Sequence, residues 1–142
     1  MTADIAASQA LQRILRDFAA DSGTVHFLGS DGMLHLAAAS PGIPEPVLAT
    51  IRAIAIGKGM AGLAVERAAP VNACNIQTDS SGDVRPGARA TDLAGSIVVP
   101  IFSGGTVVGA LGVANRLERT FTEEETARLI EEGRLLAGAR TS

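Results

Sequence analysis

Through residues 3–20 the apolar positions fall at helical spacing: Leu11, Ile14, Leu15 and Phe18 make one stripe, and Gln12, Arg13, Arg16 and Asp17 the opposite face. That period predicts an amphipathic helix stopped by Ser22-Gly23. The next stretch, TVHFLGSDGMLHLAAA, changes to β-rich runs on either side of Asp31-Gly32. It predicts a hairpin with a two-residue turn, in whose register Leu28 faces His35 and Phe27 faces Leu36. Pro41, Pro44 and Pro46 follow, then a short second stripe of Val47, Leu48, Ile51 and Ile54, with residues 51–56 read as a helix end and a short edge strand. IGKGMAG then leads into a turn or two of helix reaching about Arg67, and Pro70 opens a short strand, PVNA. Residues 75–95 are polar and rich in turn formers, the composition of a long functional loop. SIVVPIF and TVVGALGVA, joined by Gly104-Gly105, predict a second hairpin. Thr122-x-x-Glu125 is a capping box opening a terminal helix with Leu129, Ile130, Leu136 and Ala137 inside.

Strand parity locates a site. Along the last strand Val107, Gly109, Leu111 and Val113 share one face, while Val108, Ala110, Gly112 and Ala114 share the other. The second set thins to Ala-Gly-Ala and leaves space that either a ligand or a closely packed loop must fill. On the preceding strand Ser96, Val98 and Pro100 match this thin face, and Ile97, Val99 and Ile101 turn toward the helices. The long loop, laid over the small residues, brings Gln77, Asp79, Asp83, Arg85, Arg89 and Asp92 near them. Two arginines either fork an anionic group or, with their neighbours, solvate a surface loop.

Gly57-x-Gly59-x-x-Gly62, with Asp79 some distance on, has the spacing of a dinucleotide fingerprint. A dinucleotide site needs a buried strand before the glycines and a full crossover helix after them. Pro70 cuts that helix short and the other strands come as antiparallel hairpins, so the glycines are read as a tight strand-to-helix turn.

Composition narrows the classes further. At 142 residues the chain fits one domain, residues 1–142, with a core over about 3–138. Twelve basic and 15 acidic residues give a net charge of −3 without a Lys/Arg run, which argues against nucleic acid and anionic membrane partners. A basic leader and a membrane-length apolar run are both missing, so a cytoplasmic protein is expected. Cys74 is the single cysteine. It is read as a buried or inert thiol, or as a redox or adduct site. His26 and His35, diagonal neighbours on one face in the register above, are read as ordinary hydrogen-bonded histidines or as two of three metal ligands.

IGKGMAGLAVERAAPVNACNI, SIVVPIFSGGTVVGALGVANR and FTEEE, in that order and spacing, resemble a GAF domain, and the resemblance runs over residues 3–138. It implies an α+β three-layer sandwich: a central antiparallel sheet, N- and C-terminal helices on one face, and a ligand pocket with short helices and loops on the other. The expected role is a non-catalytic sensory module with no assigned cofactor, holding a small molecule through Ser96, Val98, Ala110, Gly112, Ala114, Asp79, Arg85, Arg89 and Asp92. A homodimer through the terminal helices and an effector protein in trans are expected partners. With neither Trp nor Tyr to stack a flat ring, the expected ligand is a compact polar or anionic metabolite with a short aliphatic part. The Asn-Lys…Phe-x-x-x-Asp-Glu motif of many cyclic-nucleotide-binding members is matched only as Asn115-Arg116…Phe121-x-x-x-Glu125-Thr126. Two other readings are a pocketless dimerisation scaffold and a free methionine-R-sulfoxide reductase, an enzymatic branch of the family. Motif matching puts that enzyme's substrate-holding acidic side chains at Ser96, Gly112 and Ala114, none of them a carboxylate, and the chain lacks a second thiol.

Overall fold

The structure, a computed structural model, describes residues 5–78, 81 and 91–141. In chain order the elements are α1 (Ile5–Asp17), β1 (Ser22–Leu28), β2 (Met33–Ala39), α2 (Glu45–Ile51), β3 (Ala53–Ala55), α3 (Gly59–Arg67), β4 (Val71–Ala73), β5 (Gly95–Ser103), β6 (Thr106–Asn115) and α4 (Glu123–Thr141). Among the described residues the strands form one antiparallel sheet in the order β3-β2-β1-β6-β5-β4. The two hairpins supply its middle, and the chain closes β1 against β6 across 6 residue pairs from Ser22↔Ala114 to Phe27↔Gly109.

Helices α1 and α4 cover one face. Leu11, Ile14, Phe18, Leu129 and Leu136 pack there on Val25, Phe27, Ile97, Val99, Ile101, Leu111 and Val113. Leu11, Ile14 and Leu129 are fully buried, and each contributes about 1.5–3 kcal/mol of transfer free energy. The large apolar side chains of the terminal helices, through which a homodimer is expected, are therefore mostly spent in the chain's own core; among the described residues Ile5 and Leu135 are the large apolar residues these helices leave exposed. The capping box forms as expected: Glu125 N donates to Thr122 Oγ1 at 3.0 Å and Thr122 N to Glu125 Oε1 at 2.9 Å. On the other face α3 packs through Ala64 and Val65 onto Leu34, Val71, Val98 and Ala110.

Local geometry corrects three sequence expectations. Helix α1 ends at Asp17, and just past it Ala19 takes φ 51° and caps the turn with its neighbour (Ala20 N to Leu15 O, 2.9 Å), so Ser22 and Gly23 open β1 instead of stopping the helix. The first hairpin has a three-residue loop, Ser30-Asp31-Gly32, closed by Gly29 N to Met33 O at 2.9 Å, with Gly32 at φ 78°. A turn followed by a left-handed glycine accepts the same Asp-Gly pair as a two-residue turn but moves the register by one. Phe27 thus pairs with His35 and Leu28 with Leu34, which puts His26 and His35 on opposite faces. In the second hairpin the pairing passes from Ile101↔Gly109 to Phe102↔Val107, leaving Val108 as a bulge. Parity reverses beyond it, so Val108 packs on the helical side and Val107 on the other.

The glycine triplet has a structural use. Gly57 and Gly59 take φ of 89° and 63°, and a Cβ on Gly62 would stand 2.5 Å from Ala55 O. The first two make the turn, and the third lets α3 sit directly against β3.

Candidate functional site

The three central strands build a floor on the face away from α1 and α4. Cross-strand pairing sets residues in rows: Ser22, Ala114 and Ser96; Thr24, Gly112 and Val98; His26, Ala110 and Pro100. Strand β6 runs down the middle and carries the smallest side chains, so the floor is hollow along its axis. A Cβ on Gly112 would lie 3.2 Å from Val98 Cγ2 and 3.5 Å from Thr24 Oγ1, the groups flanking the hollow. Above it is a cavity of about 300 Å³. Ile43 with Val47, Thr50 and Ile51 of α2 forms one wall, Lys58 to Ala61 at the start of α3 another, and Ile76, Thr91 and Leu93 a third.

The lining is mainly apolar, with hydroxyls at defined points. Ser22 Oγ lies 3.0 Å from Ser40 Oγ, which also accepts Gly23 N at 3.0 Å. Thr50 Oγ1 donates to Val47 O at 2.7 Å. Among the described lining residues Lys58 is the one with a formal charge. His26 is 2% exposed and its Nε2 stands 2.8 Å from Ile51 O at the end of α2. A carbonyl only accepts, so Nε2 carries the hydrogen and Nδ1 the lone pair. Burial holds this imidazole below the usual histidine pKa, partly offset by the Ile51 bond, with His35 a smaller lowering influence. The ring is therefore neutral at neutral pH.

Ser96, Val98, Gly112 and Ala114 line the cavity, whereas Ala110, 1% exposed, is sealed beneath it in the apolar cluster with Leu34 and Val71. Asp92 points elsewhere: its Oδ2 pairs with Arg116 Nε at 3.0 Å in an exposed ion pair. Gln77 ties the base of the long loop together, its Nε2 donating to Thr91 O at 2.9 Å and Leu93 O at 2.8 Å. Asp79, Asp83, Arg85 and Arg89 lie outside the described residues. Exposed Cys74 is not among the lining residues, and its carbonyl accepts Arg119 N at 3.1 Å. Among the described residues there is no cluster of three or more metal-ligating side chains, and His35 instead bonds Asp31 Oδ2 at 2.9 Å. The wall formed by α2, Lys58 and Met60, and the place of His26, are not among the site residues expected from the sequence. The signal for the last was present, since Ser22, Thr24 and His26 alternate with Gly23, Val25 and Phe27 along β1.

Beside the site, Arg119 joins the loop after β6 to α4. It donates to Glu125 Oε2 at 2.7 Å and Asn115 Oδ1 at 2.8 Å, and its guanidinium lies 4.2 Å from the Phe121 ring centroid. Among the residues of the partial motif, Asn115, Phe121 and Glu125 meet in this clasp, but through Arg119, because Arg116 turns to Asp92.

A six-stranded antiparallel sheet with paired helices on one face and a hollow, roofed floor on the other is an α+β sandwich built around a small-molecule-sized cavity. The family model for the GAF domain matches residues 1–139, and the chain belongs to that family. The solved structures it resembles include the GAF domain of an Acinetobacter phosphoenolpyruvate-protein phosphotransferase (20% identity, TM-score 0.77, covering 94% of this chain and 79% of that one). The type II free methionine-R-sulfoxide reductase of Thermoplasma acidophilum is similar at 21% identity and TM-score 0.80, covering 98% and 92%. A second phosphotransferase GAF domain, from Coxiella burnetii, is similar at 23% identity and TM-score 0.80, covering 98% and 82%. None of the curated proteins matches the chain. At these identities the structures share the fold. The family supports a small-molecule-binding regulatory domain in general, and the solved structures the chain resembles include both GAF domains of phosphotransferases and a reductase. Among the described residues no helix is long and apolar enough to cross a membrane.

Proposed function

We propose that this chain is a non-catalytic sensory GAF module that binds a compact metabolite in the cavity over β1, β6 and β5. The observation that carries the reading is the hollow itself: about 300 Å³ above a row in which β6 offers only Gly112 and Ala114 between Ser22, Thr24, Ser96 and Val98. A cavity of that size bounded by apolar walls and a few polar points is the form of a small-ligand site. It also favours a binder over a pocketless scaffold. The ligand has a short aliphatic body for Ile43, Val47, Ile51 and Met60, and a polar end for the hydroxyls, with Lys58 able to meet an anionic group. A cytoplasmic setting and an effector in trans belong to the same proposal. So does association through α1 and α4, for which exposed Ile5 and Leu135 are the available contacts.

The reductase reading asks for a thiol nucleophile at the substrate and a partner that resolves the oxidised sulfur. Cys74 is the single cysteine and lies outside the lining, and the lining supplies no carboxylate at Ser96, Gly112 or Ala114. Incubation with free methionine-R-sulfoxide and dithiothreitol is expected to give background turnover, with Cys74→Ser indistinguishable from the unaltered protein. Turnover well above background that vanishes in Cys74→Ser overturns the non-catalytic reading.

A further inference from the structure

Among the described residues, one buried side-chain polar atom lacks a hydrogen-bond partner, and it is His26 Nδ1. The residue carrying it lines the cavity. Leaving a buried acceptor unmatched opposes folding, and such groups call for an explanation at the site where they occur. Burial keeps the ring neutral and the Ile51 carbonyl fixes the hydrogen on Nε2, so Nδ1 presents a lone pair and nothing else.

We propose that His26 is the ligand-discriminating residue of the cavity: Nδ1 accepts a hydrogen bond from an uncharged N–H or O–H of the bound molecule, such as a carboxamide or an alcohol. This rests on the binding reading above and names the chemistry of the ligand's polar end. An uncharged donor fits better than an ammonium, because a cation placed among Val47, Ile51 and Ile54 loses its hydration without a carboxylate in the described lining to replace it. The same ring ties the floor to α2 through Ile51 O, and none of the seven residues of α2 is buried. Helix α2 is thus the wall with least to lose by moving. A donor reaching Nδ1, which is closed over by its surroundings, shifts the ring and the α2 wall together. Ligand engagement is in this way linked to the position of a surface helix.

The test uses the full chain labelled with 15N, titrated with pentanamide and with N,N-dimethylpentanamide, which has the same body and no N–H. Pentanamide is expected to shift the backbone amides of Thr24, Gly112 and Ala114 and to move the imidazole Nδ1 resonance of His26. The dimethyl compound is expected to bind about three- to tenfold more weakly, the worth of one neutral hydrogen bond, and to leave Nδ1 unmoved. His26→Gln keeps an N–H for Ile51 O but has no acceptor at the δ position, so it should bind the two amides alike. The comparison on the unaltered chain stands even where the variant does not fold. Equal binding of both amides with no movement of Nδ1, while the floor amides do shift, overturns this inference and leaves the binding reading in place. Silence at the floor amides with both compounds counts against the binding reading and this inference with it.

Discussion

Two glycines three residues apart on β6 should respond very unequally to the same added methyl group. In Gly109→Ala the new Cβ stands 2.2 Å from His26 O and 3.2 Å from Phe27 Cα, both backbone atoms of the neighbouring strand. Strands β1 and β6 must part locally to admit it, next to the Val108 bulge. Overpacking of this kind costs about 1–3 kcal/mol, and one weakened ladder bond adds about 1 kcal/mol. A loss of about 3 kcal/mol is expected. In Gly112→Ala the Cβ meets a Val98 methyl at 3.2 Å and Thr24 Oγ1 at 3.5 Å, two side-chain atoms beside a cavity into which they can yield. Losing a glycine also restricts the unfolded chain, which favours the fold by about 0.4–1 kcal/mol. The net change should stay within about 1 kcal/mol of zero. Urea unfolding followed by circular dichroism, with m held common, measures both. A Gly112→Ala variant as damaged as Gly109→Ala means the space above Gly112 is filled, and a neutral Gly109→Ala means the β1–β6 pairing is misdescribed.

Further expectations concern the clasp, the cap and the titrating groups. Arg119 and Glu125 are partly buried, 21% and 26% exposed; after discounting for solvent screening, a double-mutant cycle with Arg119→Met and Glu125→Gln should give a coupling of about 1 kcal/mol, and zero coupling would show the contact to be incidental. Thr122→Ala, which removes the Oγ1 that accepts Glu125 N, should cost about 1 kcal/mol in denaturant unfolding. Because the folded pKa of His26 lies below its ordinary 6.5, the unfolded chain binds more protons there, so stability should fall as pH drops below about 6.5. His26→Gln should flatten that part of the profile between pH 7.5 and 5.5; an unchanged slope would show that His26 is not the titrating group. Glu125, held below 4.5 by the Thr122 backbone bond and by Arg119, contributes above its unfolded pKa and loses that contribution only as pH falls further.

What could be read from sequence was whatever a local pattern dictates. The stripe Leu11, Ile14 and Phe18, the Thr122/Glu125 box, the Gly104-Gly105 hairpin and the thin face of Gly112 and Ala114 each follow from spacing within a few residues, and each stands in the structure. Register was not readable at Asp31-Gly32, because a left-handed glycine serves both loop lengths, and the one-residue difference carried His35 to the face opposite His26. The Val108 bulge likewise reversed parity at the tip of β6. Ala110 is small and on the right face, yet the packing of α3 seals it, a tertiary effect that strand parity cannot report. The clasp used Arg119 where the motif pointed to Arg116, since choosing between two arginines three residues apart depends on the path of the loop between them. The walls come from α2 and α3, which meet the floor only in three dimensions.

The central claim, that the cavity over β1, β6 and β5 is a ligand site, is tested most directly by heteronuclear spectra of the chain and of Gly112→Leu, each titrated with a panel of small carboxylates, carboxamides and amino acids. The isobutyl group of Gly112→Leu would project into the hollow between Val98 and Thr24. At least one compound is expected to shift saturably the amides of Thr24, Met60, Ser96, Gly112 and Ala114 in the unaltered chain and to do nothing to the folded variant. Saturable binding that spares those amides and is indifferent to Gly112→Leu, or a panel to which the floor never responds, would contradict that claim.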